Sequence, residues 1–248
     1  LEASDRRKAG QTHQYDQKES GAMKRIVFIV GLAVCGAACE FAAAQEKSSG
    51  VTVDEAKRTV SVDAKVAPRK LPNLDQVYPI ELIAGWPAPK GKKAHEIVVT
   101  FDINPSEVHK GLEKLGLKPG KPAMGEGAVP EGPQVNVYFE VPDGAGGVKR
   151  VTMEKALYDP KTKKPCPKIN FLFTGSVMSA PDPSNPSVKK YGADMTGSLI
   201  SLFPVTNETV LQTAWTMKEE KFLKLEVNPD VMPKEGTPVK LVIEAVKK

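Results

Sequence analysis

Cysteine is nearly absent from the working part of this chain. Of its three cysteines, Cys35 and Cys39 lie in an apolar N-terminal run, and only Cys166 follows. One thiol excludes an internal disulfide, a cysteine-type zinc site and an iron–sulfur cluster. Histidine is also scarce: past His13 there are only His95 and His109, with no Cys-x-x-Cys-His haem attachment. Aromatics make up 6% of the chain, the lysines are scattered and the net charge is +5. Nucleic-acid binding needs a concentrated basic face interleaved with aromatics, so it is not expected. The Ile26–Cys39 apolar run is shorter than the ~20 residues a membrane-spanning helix takes, so no membrane span is expected. A long helical bundle is excluded as well, because all 21 prolines lie after Ala44 and proline breaks helices.

What is present begins at Met23. Lys24 and Arg25 precede Ile26–Cys39, and Ala42-Ala43-Ala44 follows. A positive start, a short apolar stretch and a small-residue site read as a signal peptide over 23–44, cleaved after Ala44. The expected location is the periplasm or cell surface of a bacterium. Residues 1–22 are polar and read as an upstream segment that is not part of the native product. Acylation of Cys39, behind Gly36-Ala37-Ala38, is the competing outcome and would anchor the protein to lipid. Residues 45–248 are expected to form a single domain.

Alternation of apolar residues predicts strands. Val51–Asp54 and Thr59–Val62 read as a hairpin, and Pro79–Ala84 and His95–Asp102 as strands. Val135, Val137 and Phe139 face one way, with Lys149–Met153 as hairpin partner. Phe171–Thr174, Ser198–Phe203, Leu223–Val227 and Val239–Ala245 complete the set, while Val210–Met217 is ambiguous between strand and helix. Asn104-Pro105-Ser106-Glu107 is a helix start, with Val108, Leu112 and Leu115 in one stripe and Gly116 to end it. The expectation is an α+β, sheet-dominated single domain with one helix over 105–115 and long Pro-rich loops.

Gly85-Trp86-Pro87-Ala88-Pro89-Lys90-Gly91, Ala94-His95-Glu96 and the Pro105–Pro119 helix region resemble the YdjY-type exported bacterial domain. Phe171-Leu172-Phe173-Thr174-Gly175-Ser176 and Tyr191-Gly192-Ala193-Asp194-Met195-Thr196-Gly197 are similar too, so the resemblance runs from about Val51 to the C-terminus. The resemblance implies no settled activity. Some members carry a ferredoxin-like label, but this chain lacks the cysteine cluster that label requires, and no cofactor is expected.

Catalytic motifs fail on spacing. His95-Glu96 lacks the second histidine at i+4 that a metalloprotease helix needs; Val99 stands there. Gly116–Lys121 is one residue short of a phosphate loop and follows a helix. Ser176 has no glycine two residues later, so it is not a nucleophile elbow. Cys166, between Pro165 and Pro167, reads as an incidental exposed thiol. A loose polar set remains as candidate ligand site: Glu81, His95, Glu96, Asp194 and Thr196. The expected function is an exported accessory domain that binds a small ligand or an envelope protein. The alternative is a hydrolase-like or metal-assisted enzyme using His95, Glu96 and Asp194. An enzyme requires those groups to converge in one pocket.

Overall fold

Period-two alternation places most strands close to their expected positions. The computed structural model describes residues 46–48 and 50–246, all within the compact unit Ala42–Lys248. The expected signal peptide, its Cys39 and the upstream segment lie outside the described residues. β1 (Glu46–Ser48) pairs with β2 (Val51–Asp54), and β2 forms the expected hairpin with β3 (Thr59–Val66). β4 (Leu82–Gly85) and β5 (Ile97–Thr100) run parallel, and α1 (Pro105–Lys114) follows. β6 (Gln134–Pro142) and β7 (Val148–Thr152) make a second hairpin. Next come α2 (Met153–Ala156), β8 (Leu157–Tyr158), β9 (Phe171–Phe173), β10 (Met178–Ser179) and β11 (Lys190–Tyr191). α3 (Ala193–Thr196), β12 (Ser198–Ser201), β13 (Leu211–Thr213), α4 (Met217–Phe222), β14 (Glu226–Val227) and β15 (Pro238–Ala245) complete the order.

Eight strands close into a barrel in the order β3-β15-β6-β9-β13-β12-β4-β5, returning to β3. The closing seam is narrow, pairing Lys65 with Thr100 and Val66 with Val99. Val60, Val62, Leu241, Ile243, Phe139 and Phe173 are buried in the core, each apolar side chain contributing about 1.5–3 kcal/mol. α1 packs on the β2–β3 hairpin through Gly111, where a Cβ would meet the side chains of Val60 and Val53 at 3.1 and 3.2 Å.

The fold is α+β and sheet-dominated, with α1 where the helix over 105–115 is expected, but one feature departs from the expectation. The barrel was not anticipated, because closure depends on register between strands far apart in sequence. Three further helices, α2, α3 and α4, join α1; at four to six residues they are too short to show a periodic stripe. The ambiguous Val210–Met217 segment splits into β13 and the Thr216 cap of α4, whose Oγ accepts from Lys218 N–H. Leu223 closes α4, so only Glu226–Val227 of the expected Leu223–Val227 strand is extended in a pair.

Cys166 is a correction. The thiol is buried at 4% exposure, because the preceding loop folds back: Tyr158 bridges Pro165, and Cys166 N–H donates to Leu157 carbonyl at 3.1 Å. Burial pushes its pKa from 9.0 up to about 12, with a smaller contribution from Glu154. Above pH 9 the unfolded chain releases this proton and the folded one keeps it, so stability falls as pH rises toward 12. Burial likewise raises Tyr191 above its ordinary 10.0. Cys166→Ala is therefore expected to move the onset of alkaline unfolding upward by about one pH unit, toward the tyrosine limit. Denaturant melts from pH 8 to 11 test this, and superimposable pH profiles would refute it.

Candidate functional site

The register of β4 decides where the expected polar set goes. Glu81 stands just before β4, and its N–H and that of Leu82 both donate to Glu96 carbonyl, at 3.0 and 3.1 Å. Glu81, His95 and Glu96 are thus brought together at the N-terminal ends of β4 and β5. β12 runs antiparallel to β4, with Ser198 opposite Gly85 and Ser201 opposite Leu82. Asp194 and Thr196, just before β12, therefore lie at the other end. Four strand residues at ~3.3 Å each separate the two groups by roughly 10 Å or more.

At the first end the charges neutralise one another. Lys93 Nζ donates to both Glu81 and Glu96, the latter at 2.8 Å. Burial raises the Glu81 carboxyl above its ordinary range against the pull of Lys93. Burial alone would lower Lys93, but its hydrogen bonds to Glu81 and Glu96 outweigh that and raise it. His95 Nε2 lies 3.4 Å from Glu96, and its ring meets Tyr78 edge-on at 5.0 Å. Arg69 ties the cluster to β14: Nε and Nη2 reach the two oxygens of Glu226 at 2.6 and 3.2 Å. Its remaining donors take the carbonyls of His95 at 3.1 Å and Tyr78 at 2.5 Å.

At the second end Asp194 is a helix cap. Its Oδ1 accepts from Ser106 N–H at 2.8 Å, one of the orphan donors in the first turn of α1. Asn104 N–H donates to Glu107 at 3.4 Å. Thr196 Oγ donates to Glu208 carbonyl at 2.9 Å and accepts from Ser198 N–H at 3.2 Å. Asp194→Ala is expected to destabilise by about 1 kcal/mol, and Asp194→Asn by less, because the amide oxygen still accepts. Urea unfolding of both variants measures this; equal losses would show that charge, not capping, matters.

His109 and Ser176 meet at this second end through Tyr191. His109 Nδ1 lies 2.7 Å from the Tyr191 hydroxyl, which accepts from Ser176 N–H at 3.1 Å. His109 Nε2 is 3.5 Å from Glu113, and its ring packs on Phe173. Ser176 Oγ is occupied by backbone, accepting from Ala193 N–H at 3.0 Å. His95 and His109 belong to different clusters. Among the described residues no group of three or more His, Cys, Asp or Glu side chains is placed to hold a metal ion.

A third region escaped sequence reasoning altogether. The outer faces of β2, β3, β15, β6 and β7 form one polar surface. Register aligns Thr52, Ser61, Val242, Tyr138 and Thr152 in one row across it. Asp63, Lys240, Glu140 and Arg150 form the adjacent row, alternating in sign. The Arg150 guanidinium lies 3.7 Å from the centre of the Tyr138 ring. Two recesses meet at this pair. One, of about 310 Å³, includes Gln134, Asn136, Thr152, Lys168, Asn170 and Glu244 in its lining. The other, of about 340 Å³, runs toward Thr52, Ser61 and Lys240. The outward positions 134, 136, 138 and 140, alternating with the apolar row, were the available signal.

These barrel ends and this outer face fall within one family match: the YdjY domain model covers residues 51–244. The chain belongs to the YdjY domain family. No curated protein and no solved structure gives a significant match. The likeness carried by the Gly85–Gly91 turn, the α1 region and the Tyr191–Gly197 segment thus holds at the level of family. In this YdjY domain those segments are structural neighbours: Trp86 N–H donates to Gly197 carbonyl at 3.0 Å, and Trp86 Nε1 to Ile103 carbonyl at 2.6 Å. Among the described residues no helix is long and apolar enough to cross a membrane.

Proposed function

We propose that this YdjY domain is an exported, non-catalytic binding domain of the bacterial periplasm or cell surface. The observation that carries the binding reading is the outer-face recess. Gln134, Asn136, Thr152, Lys168 and Asn170, all exposed, line it with polar side chains. Polar side chains gathered in one concavity can exchange their water for a polar ligand, or for a side chain of an envelope protein. Export is supported by the Lys24-Arg25, apolar and Ala42–Ala44 order, with the working chain starting at Gln45.

The enzyme alternative draws less support. Its His95 and Glu96 are engaged with Tyr78 and Lys93, and its Asp194 caps α1 at the other end of β4. A thermal-shift screen of secreted protein against small polar compounds tests the two readings. A saturating ligand at ~100 times its Kd raises stability by about 2.7 kcal/mol. The binding reading expects a hit whose shift disappears in Arg150→Ala and persists in Glu96→Gln. Substrate turnover that is lost in Glu96→Gln would overturn it in favour of the enzyme.

A further inference from the structure

We propose that the recess over β6 takes a neutral oligosaccharide, held by Arg150 and by the amides of Gln134, Asn136 and Asn170. This rests on the binding reading above and names the ligand class.

The volume of about 310 Å³ sits at the lower end of the usual ~300–1,000 Å³ range for ligand sites. A second recess continues from it past Tyr138 and Arg150, so the surface is an extended trough suited to a chain rather than one compact molecule. Its apolar lining residues Val135, Val137, Ile169 and Phe171 are each at most 7% exposed, which leaves little for an apolar ligand to cover.

The polar lining is rich in planar groups that donate and accept side by side. Each amide offers a carbonyl oxygen and two N–H donors. Hydroxyls on adjacent sugar carbons likewise offer a donor and an acceptor together, so one planar group can bind both. The charges balance: Arg150 and Lys168 face Glu154 and Glu244 in the same recess. Such a lining gives no net field to attract a polyanion or a polycation, and favours a neutral ligand.

Arg150 is held in readiness. Lying over Tyr138, the guanidinium makes no hydrogen bond or ion pair to a described residue, so the donors along its edge are free. Stacking fixes the plane of the fork before binding and reduces the ordering that a ligand must impose. An extended peptide would instead add to the edge of β7, which pairs with β6 alone among the described strands. These groups stand on the outer face of β6 and β7 and just before β9.

Titration of ¹⁵N-labelled mature protein by NMR tests the proposal. The neutral probes are cellohexaose, maltohexaose and chitohexaose; oligogalacturonate and chitosan oligomers are the anionic and cationic controls. At least one neutral probe is expected to shift the amides of Asn136, Thr152 and Asn170 with a Kd below about 1 mM. Arg150→Ala and Asn136→Ala should each weaken that Kd about tenfold while the rest of the spectrum stays unchanged. Three results would overturn the proposal: no neutral probe shifting these amides at ~10 mM, a charged control binding as tightly, or shifts confined to the β4–β5 end. If a non-saccharide hit from the thermal screen shifts the same amides, the ligand class fails and the binding reading stands. If no compound perturbs the recess, both fail.

Discussion

Gly197→Ala is expected to lower stability by roughly 2–5 kcal/mol, enough to leave much of the protein unfolded at 37 °C. Two effects add. Gly197 has φ of +75°, a left-handed conformation that costs a residue with a Cβ about 1–2 kcal/mol. The new Cβ would also stand 2.4–2.6 Å from Cδ2, Cγ and Cε3 of Trp86, inside van der Waals contact. The indole is 6% exposed and anchored by its Nε1 bond to Ile103 carbonyl, so it cannot swing away without losing that bond. Gly144→Ala is the control, because Gly144 has φ of +84° and open space around its Cβ position. It should show the conformational penalty alone. Urea midpoints of the two variants separate the contributions; equal losses would mean that Trp86 moves aside freely.

The second large effect is at Arg69. Arg69→Met is expected to cost about 3 kcal/mol, because Glu226, His95 carbonyl and Tyr78 carbonyl all lose a donor at once. The Arg69 side chain is 13% exposed and that of Glu226 24%, so the freed carboxylate regains some water and the loss stays at the lower end of the buried-pair range. Removing both partners should be milder than the sum of the single losses. A double-mutant cycle over Arg69→Met and Glu226→Gln measures the coupling. A single-variant loss under about 1 kcal/mol would show that the pair behaves as a surface ion pair.

Arg69 also shows why the site was only partly legible in the sequence. Glu81, His95 and Glu96 could be grouped because they flank one short turn, and the parallel β4–β5 pair keeps them together. Lys93 lies within the same stretch, and its bridging role was within reach. Arg69 and Glu226 are 157 positions apart, and nothing local signals their meeting. Asp194 stands in a segment bordered by Gly192 and Gly197, which suits close approach of a ligand but says nothing of its distance from His95, and the antiparallel register of β12 sends it to the opposite end. The helix start at Asn104 was legible because a cap is a four-residue pattern. Barrel closure was not, because it rests on two residue pairs between β3 and β5. The Tyr138–Arg150 pair required knowing that β6 and β7 align Glu140 with Arg150; alternation in β6 identifies the outward row without saying what crosses it.

The position of β15 governs when this protein can become itself. The last of the described strands sits between β3 and β6, both far earlier in sequence, and is hydrogen-bonded to both along most of its length. A chain delivered N-terminus first, from a ribosome or through a narrow channel, cannot complete the barrel while Pro238–Ala245 is still in transit. Until Pro238–Ala245 arrives, facing edges of β3 and β6 wait unpaired, and such edges invite mispairing with other chains. Assembly of the barrel is thus tied to the arrival of one eight-residue strand, which completes the pairing on both sides at once.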